Sequence, residues 1–217
     1  MSDSLKLYSY YRSSASYRVR LALAYKELNY DYLAVHLLNN GGEQNSPDYV
    51  AANPMRQVPT LVDGDLVLSQ SLAIYEYLDE KYPNTKRLLP TDTAGRAKVR
   101  EFCEIINAGI QPLQNLKTLQ TLDEYFKPLA AVKMRWMHYW MARGYSALEE
   151  KLRMTSGTYS FGNTLTAADL FLYAQIFSSN RFQFSIETYP NMKRVYENIA
   201  KLEILEKAHP NQQIDAE

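Results

Sequence analysis

LKLYSYYRSSASYRVRLALAYKELNYDYLAVH, residues 5–36, decides how this chain begins to fold. LKLYSY (5–10) alternates in the manner of a strand, and YDYLAVH (30–36) is rich in aromatic and branched apolar side chains. Between them, residues 15–28 place apolar side chains at helical spacing. Strand, helix, strand in that order reads as a βαβ unit, in which two parallel strands are joined by a crossover helix.

Outward from this unit, NNGGEQNSPD (39–48) is a polar loop, and QVPTLVDGDLVLSQS (57–71) supplies two short strand-like runs, TLV and LVL. Asp63-Gly64-Asp65 between the runs is a hairpin signal. Gln70-Ser71 then opens a helical pattern through Leu72, Ala73, Ile74 and Leu78. The order β-α-β followed by β-β-α has the connectivity of a thioredoxin-like half-domain that ends near Tyr82. YPNTKRLLPTD (82–92), with two prolines, suits a linker.

Beyond the linker the pattern is helical throughout, over 93–120, 125–154, 166–179 and 190–203. The expected class is α/β plus all-α: a thioredoxin-like domain over 1–83, then an all-helical domain over 91–217. Leu165-Thr166-Ala167-Ala168-Asp169-Leu170 signals one helix start, combining a Thr cap, an acidic third residue and a hydrophobic staple.

Composition narrows the partners. A chain of 217 residues buries a sizeable core without covalent staples, and its single cysteine cannot form an internal disulfide. Lys and Arg number 24 against 24 Asp and Glu, so the charge balance points neither to nucleic acid nor to an anionic membrane surface. MSDSLKLYSYYR lacks the apolar core of a signal peptide, and DLFLYAQIF (169–177) is too short to span a bilayer. A cytoplasmic protein with small-molecule or protein partners is expected. His36, His138, His209 and Cys103 match no metal-ligand spacing, and no metal is expected.

Four stretches carry a resemblance: SYYRSSASYRVRLAL (9–23), NPMRQVPTLVDGDLVLSQSLAIYEYL (53–78), GIQPLQNL (109–116) and TAADL (166–170). Together they resemble the zeta class of glutathione transferases, over nearly the whole chain from Lys6 to about Pro210. The likeness implies bound glutathione, a homodimer and a glutathione-dependent cis–trans isomerisation of a dicarboxylic acid. The expected substrate is maleylacetoacetate, formed in tyrosine and phenylalanine degradation.

Glutathione acts through its thiolate, and an ordinary thiol titrates near about 8.5. Lowering that by about two units requires about 2.7 kcal/mol of preference for the anion. A helix N-terminus contributes about 0.3–1 kcal/mol, and a hydroxyl donating to the charged sulfur about 1.5–3 kcal/mol. Ser13 and Ser14, at the start of the first helix, are placed to be that donor and the helix cap, one role each. The resemblance makes Ser13 the thiolate-binding serine, with Ser14 beside it.

Val58-Pro59 precedes a strand, where a cis bond at a tight turn would leave the backbone of Val58 free to pair with a peptide. The resemblance implies this cis bond, with Val58 holding the cysteinyl part of glutathione. It assigns Gln70 and Ser71 to the γ-glutamyl end, Gln44 to the glycyl end, and Gln111 and Asn115, four apart and expected on one helical face, to the lining of the site. Arg12, Lys117 and Arg181, the last in the pattern NRF (180–182), are the candidate cations for the substrate carboxylates.

Many zeta-class members carry cysteine where this chain has Ala15 and tryptophan where it has Tyr17. The missing thiol leaves the sulfur of glutathione as the nucleophile, and it leaves maleylpyruvate as an alternative substrate. The loop GGEQ (41–44) resembles the maleylacetoacetate enzymes more. Other readings are a transferase or dehalogenase acting on small haloacids, and a non-catalytic glutathione-binding protein. The last conflicts with Ser13, Pro59, Gln70 and Ser71 occurring together. Trp136 and Trp140 are expected in core or interface, Cys103 is expected buried and inert, and Arg18 and Arg20 are expected to face solvent or partner acids.

Overall fold

The computed structural model describes residues 4–217. The first three residues of the expected 1–83 domain lie outside the described residues. The chain forms two compact units, one comprising the chain up to Leu88 together with Leu202–Glu217, the other Leu89–Lys201.

In the first unit, β1 (Leu5–Ser9), α1 (Ser14–Tyr25) and β2 (Tyr30–Ala34) form the βαβ unit, with β1 and β2 parallel. A short helix, α2 (Pro47–Ala52), precedes the hairpin of β3 (Thr60–Asp63) and β4 (Leu66–Ser69), and α3 (Ser71–Lys81) follows. The sheet order is β2-β1-β3-β4, with the last two pairings antiparallel. This is the thioredoxin-like arrangement that the order of strands and helices predicts. Gly64, at φ +58°, provides the positive φ that the two-residue hairpin loop needs.

The polar run 39–48 is only partly loop, because α2 begins inside it. Ser46 caps this helix by accepting the Tyr49 N–H at 3.3 Å, and Pro47 sits where its missing N–H costs nothing.

The structure changes two further readings in this unit. The segment from Leu202 onward, which the sequence boundary assigns to the second domain, packs with the first unit. Within it, α9 (Ile204–Ala208) lies against α1. With the sheet, α3 and α9 around it, α1 has no exposed face between Ser16 and Leu23, and Arg18 and Arg20 are fully buried instead of facing solvent. Arg20 donates to Ala208 O at 3.1 Å and to Ser9 Oγ at 3.1 Å, and Arg18 donates to Ser71 Oγ at 3.3 Å. The Arg20 guanidinium persists in the interior because carbonyl and hydroxyl oxygens replace its hydration at Nε and at both Nη atoms.

His209 follows α9, and burial together with the Arg20 charge holds its imidazole below the ordinary value of 6.5. The unfolded chain therefore takes up a proton more readily than the folded chain as pH falls through 6.5. Stability present above that pH is expected to decline below it. Denaturant titrations should show a flatter decline over this range for His209→Gln than for the parent.

The second unit is all-helical: α4 (Thr93–Gly109), α5 (Leu116–Phe126), α6 (Ala130–Thr155), α7 (Ala167–Ser179) and α8 (Pro190–Ile199). The expected helix 93–120 is two helices, parted by Ile110 and a 3₁₀ turn at Gln111–Gln114. Pro112 biases its predecessor out of the α region, and the Asn115 side chain caps α5. Likewise the expected 125–154 helix starts at Ala130, after Lys127 at φ +43° and Pro128. The last expected helix stops at Ile199.

α7 is apolar on nearly every side and buried accordingly, with α4 and α8 packed on it. Its expected capping box is present. Asp169 accepts the Thr166 N–H at 2.8 Å and the Ser160 N–H at 2.7 Å, while burial raises its carboxyl above the usual range. Cys103 is buried, as expected. Trp136 and Trp140 stack edge to face with centroids 5.8 Å apart, both half-buried, and Trp136 Nε1 donates to Leu113 O at 2.7 Å.

Candidate active site

The register of the sheet gathers four of the segments singled out by sequence. Thr60 pairs with Tyr8 on one side and Ser69 on the other, and Ser9 pairs with Ala34. The C-terminal ends of β1, β2 and β4 and the N-terminal end of β3 therefore lie at one end of the sheet. From that end leave the turn to Ser13, the loop to Gln44, the entry through Val58-Pro59 and the start of α3 at Gln70-Ser71. Such an end, ringed by loops and helix N-termini, is where open α/β sheets hold ligands.

Ser13 is the N-cap of α1, its Oγ accepting the Ser16 N–H at 3.2 Å. That bond uses a lone pair and leaves the hydroxyl proton available to an anion. Ser14 is the first helical residue, buried, with its hydroxyl bonded to no other described residue. The helix N-terminus and the buried Arg18 and Arg20 in its first turns place positive potential behind both hydroxyls. Arg12, one residue earlier, is exposed and forms no ion pair among the described residues.

Val58-Pro59 is cis. Val58 is 7% exposed and belongs to one cluster with Tyr10, Tyr11, Val35 and Tyr49, which ties the cis segment to the turn before Ser13. Neither its N–H nor its C=O bonds to another described residue. The preceding carbonyl, Gln57 O, is taken by Tyr49 Oη at 2.5 Å and Asn53 Nδ2 at 2.7 Å.

Gln44 lies in a loop closed by a reciprocal pair. The His36 N–H donates to Glu43 Oε2 at 2.6 Å, and the Glu43 N–H donates to His36 O at 2.9 Å. Gln44 Nε2 donates to Leu37 O at 3.4 Å, while its buried Oε1 has no partner among the described residues. Gly42 sits at φ +94°, a conformation that side-chain-bearing residues rarely adopt, and a Cβ there would also displace the Gln44 amide. Gln70 has φ +72°, an uncommon conformation for a residue other than glycine, and its exposed side chain caps nothing. Strained residues of this kind cluster at ligand sites. Ser71, buried beside it, opens α3 and accepts from Arg18.

The remaining sequence candidates belong to the second unit. Gln111 opens the 3₁₀ turn, whereas Asn115 is in extended conformation as the cap of α5, accepting the Lys117 N–H at 2.9 Å. They do not share an α-helical face, because the helix that would have carried both is broken between them. Lys117 is exposed in the first turn of α5. Arg181 Nη2 donates to Ser178 Oγ at 2.8 Å, and its guanidinium lies 5.7 Å from the Phe182 ring centroid.

Sequence reasoning missed Arg18, Arg20 and Asp215 as parts of the first unit's polar framework. Tyr11 N–H donates to Asp215 Oδ2 at 3.1 Å and Tyr32 Oη to Asp215 Oδ1 at 2.7 Å. The signal for the arginines was present: RVR falls where the helix is otherwise apolar all round. Asp215 had no signal, since it meets Tyr11 across 204 positions.

Residues 3–80 match the glutathione S-transferase N-terminal domain and residues 115–207 the glutathione S-transferase C-terminal domain. A probable maleylacetoacetate isomerase of Vibrio cholerae is 43% identical, the alignment covering 98% of this chain and 99% of the relative. A holo structure of a maleylpyruvate isomerase, a bacterial zeta-class protein, superposes with a TM-score of 0.92 at 38% identity, covering 98% of this chain and all (100%) of the other. A maleylacetoacetate isomerase from Anaeromyxobacter dehalogenans with bound glutathione gives a TM-score of 0.88 at 42% identity, covering 100% of both chains. With a thioredoxin-like unit, an all-helical unit and this identity over nearly its whole length, the chain belongs to the zeta class of the glutathione S-transferase family.

Proposed function

We propose that this protein is a glutathione-dependent isomerase that converts maleylacetoacetate to fumarylacetoacetate in tyrosine and phenylalanine degradation, as a cytoplasmic homodimer. The observation that carries the reading is Ser13, a helix cap whose hydroxyl proton remains available at the positive end of α1. The residues around it fit a γ-glutamyl tripeptide on three further counts. The peptide groups of Val58 lack partners among the described residues, as strand-like pairing with a ligand backbone requires. Gln44 Oε1 is a buried acceptor awaiting an N–H. The start of α3, with Gln70 and Ser71, offers the amides that a carboxylate takes up.

Bound glutathione would supply a thiolate that adds reversibly to the cis double bond, so that rotation about the resulting single bond and loss of the same thiolate give the trans acid. The task of the chain is to keep that sulfur ionised and the substrate oriented. Ser13 donates to the sulfur, with Ser14 alongside, and the α1 dipole and the buried arginines favour the anion. Arg12 is the proposed partner of a substrate carboxylate. Gln111, Asn115, Lys117 and Arg181 keep their proposed substrate-side roles on the strength of the family likeness.

Maleylpyruvate is the second reading, favoured by the TM-score of 0.92 to an enzyme named for it. Assaying both acids side by side, with and without glutathione, separates the readings. Turnover is expected only with glutathione, and faster on maleylacetoacetate. Retention on immobilised glutathione with neither acid isomerised would leave a binding protein in place of an enzyme.

A further inference from the structure

Ser13 reaches its position through a turn, closed by the Ser13 N–H donating to Tyr10 O at 3.0 Å. The peptide groups of this turn are gripped by two charges outside it, one in α1 and one near the end of the chain. On one side, Arg20 Nη1 donates to Tyr10 O at 3.3 Å and Nη2 to Tyr11 O at 3.0 Å. On the other, Asp215 Oδ2 accepts the Tyr11 N–H at 3.1 Å. Oδ1 of the same carboxylate accepts the Tyr32 hydroxyl at 2.7 Å, which anchors it to the sheet through β2. The neighbouring Ala216 packs on the cluster of Tyr10, Tyr11, Val35, Tyr49 and Val58, and Glu217 Oε1 lies 3.2 Å from His36 Nε2.

We propose that Asp215 is a positioning residue for Ser13: its carboxylate fixes the Tyr11 peptide against β2 and so holds the turn that presents the Ser13 hydroxyl to the glutathione sulfur. The proposal rests on the reading of Ser13 given above. Both carboxylate oxygens are used, one for the turn and one for the sheet, and a side chain with one acceptor oxygen meets only half of that requirement. A hydroxyl stabilises a thiolate only from within hydrogen-bond distance and angle, so loosening the turn should cost thiolate even with Ser13 in place.

The test uses the full chain with Asp215→Ala, Asp215→Asn, Ser13→Ala and the Ser13→Ala/Asp215→Ala double variant. One readout is amide hydrogen exchange over residues 10–13 without ligand. The other is the pH midpoint of the ultraviolet absorbance of bound glutathione thiolate. Asp215→Ala is expected to speed exchange in the turn and to raise the midpoint by about one unit, which is about tenfold less thiolate relative to thiol in the titrating range. Asp215→Asn, which keeps the side-chain volume, should shift both readouts in the same direction by less, and it carries the test if the alanine variant fails to fold. In the double variant, the midpoint should match Ser13→Ala alone, because Asp215 acts through that hydroxyl. Unchanged exchange, an unchanged midpoint or additive midpoint shifts would each overturn the proposal. If the parent itself holds no thiolate when given glutathione, the functional reading fails, and exchange alone decides whether Asp215 holds the turn.

Discussion

Replacing Ser13 with alanine is expected to lower glutathione-dependent turnover about 10- to 100-fold, the equivalent of one hydrogen bond of about 1.5–3 kcal/mol to a charged sulfur. The same change removes the cap of α1, which should cost about 0.5–2 kcal/mol of stability. Ser13→Asp separates the two effects. A carboxylate caps a helix well but has no proton for the sulfur and repels it, so this variant should keep its stability and lose turnover at least as severely. Ser14→Ala is the counterpart, since the Ser14 hydroxyl is buried and bonded to no other described residue. It should reduce turnover by less. Steady-state rates set beside urea midpoints decide the matter: full turnover in Ser13→Asp would transfer the donor role to Ser14 or away from the pair.

The largest loss of stability is expected from Asp79→Leu. Lys26 Nζ lies 3.2 Å from Asp79 Oδ1, with side-chain exposures of 0% and 1%. The ammonium also donates to Lys86 O at 3.0 Å, and the carboxylate accepts the Leu88 N–H at 2.7 Å. The pair thereby joins the end of α1 to α3 and to the segment after it. Burial holds the Lys26 ammonium below its usual range despite Asp79, so the ion pair does not fully offset its lost hydration. Removing the carboxylate leaves the ammonium with the Lys86 carbonyl as its remaining acceptor among the described residues, at a cost of about 3–5 kcal/mol. Lys26→Met/Asp79→Leu removes both charges and should recover the part of that loss due to the unpaired ammonium, while the Leu88 N–H, left without its carboxylate acceptor, keeps about 1–3 kcal/mol of it. The single variant should also regain stability as pH rises toward 10.5, the ordinary lysine value, where the unfolded chain gives up the same proton. Urea unfolding is the measurement, and an Asp79→Leu protein within about 1 kcal/mol of the parent would show that this pair is not paired in the way described.

Much of the site was legible because its chemistry depends on local geometry. A serine at a helix start caps that helix wherever the helix is docked, and Ser13 does so. The family resemblance implies a cis bond at Val58-Pro59, compatible with a tight turn ahead of a strand, and the bond is cis. Thr166 and Asp169 form their box three residues apart, within reach of each other in any helix. Gln111 and Asn115 show where this reasoning stops. Their spacing implies a shared face only if the helix is continuous, and Pro112 with the Asn115 cap interrupts it. The short helix α2 was hidden in a polar run whose Ser46-Pro47 start was a usable signal.

By itself, then, the sequence determined the βαβ-then-ββα order of the first unit's strands and main helices, a serine cap on α1, the Thr166 cap and the hairpin. These follow from side-chain period, backbone allowance and hydrogen-bond capacity over a few neighbouring residues. Only the tertiary structure decided which surfaces are buried. Arg18 looks like a solvent-facing charge until α3 packs on α1, Arg20 until α9 does, and Asp215 looks like a tail residue until it meets Tyr11 and Tyr32. The physical reason is that burial and remote hydrogen bonds are set by what packs against an element. For Arg20 and the turn before α1, that partner arrives near the end of the chain.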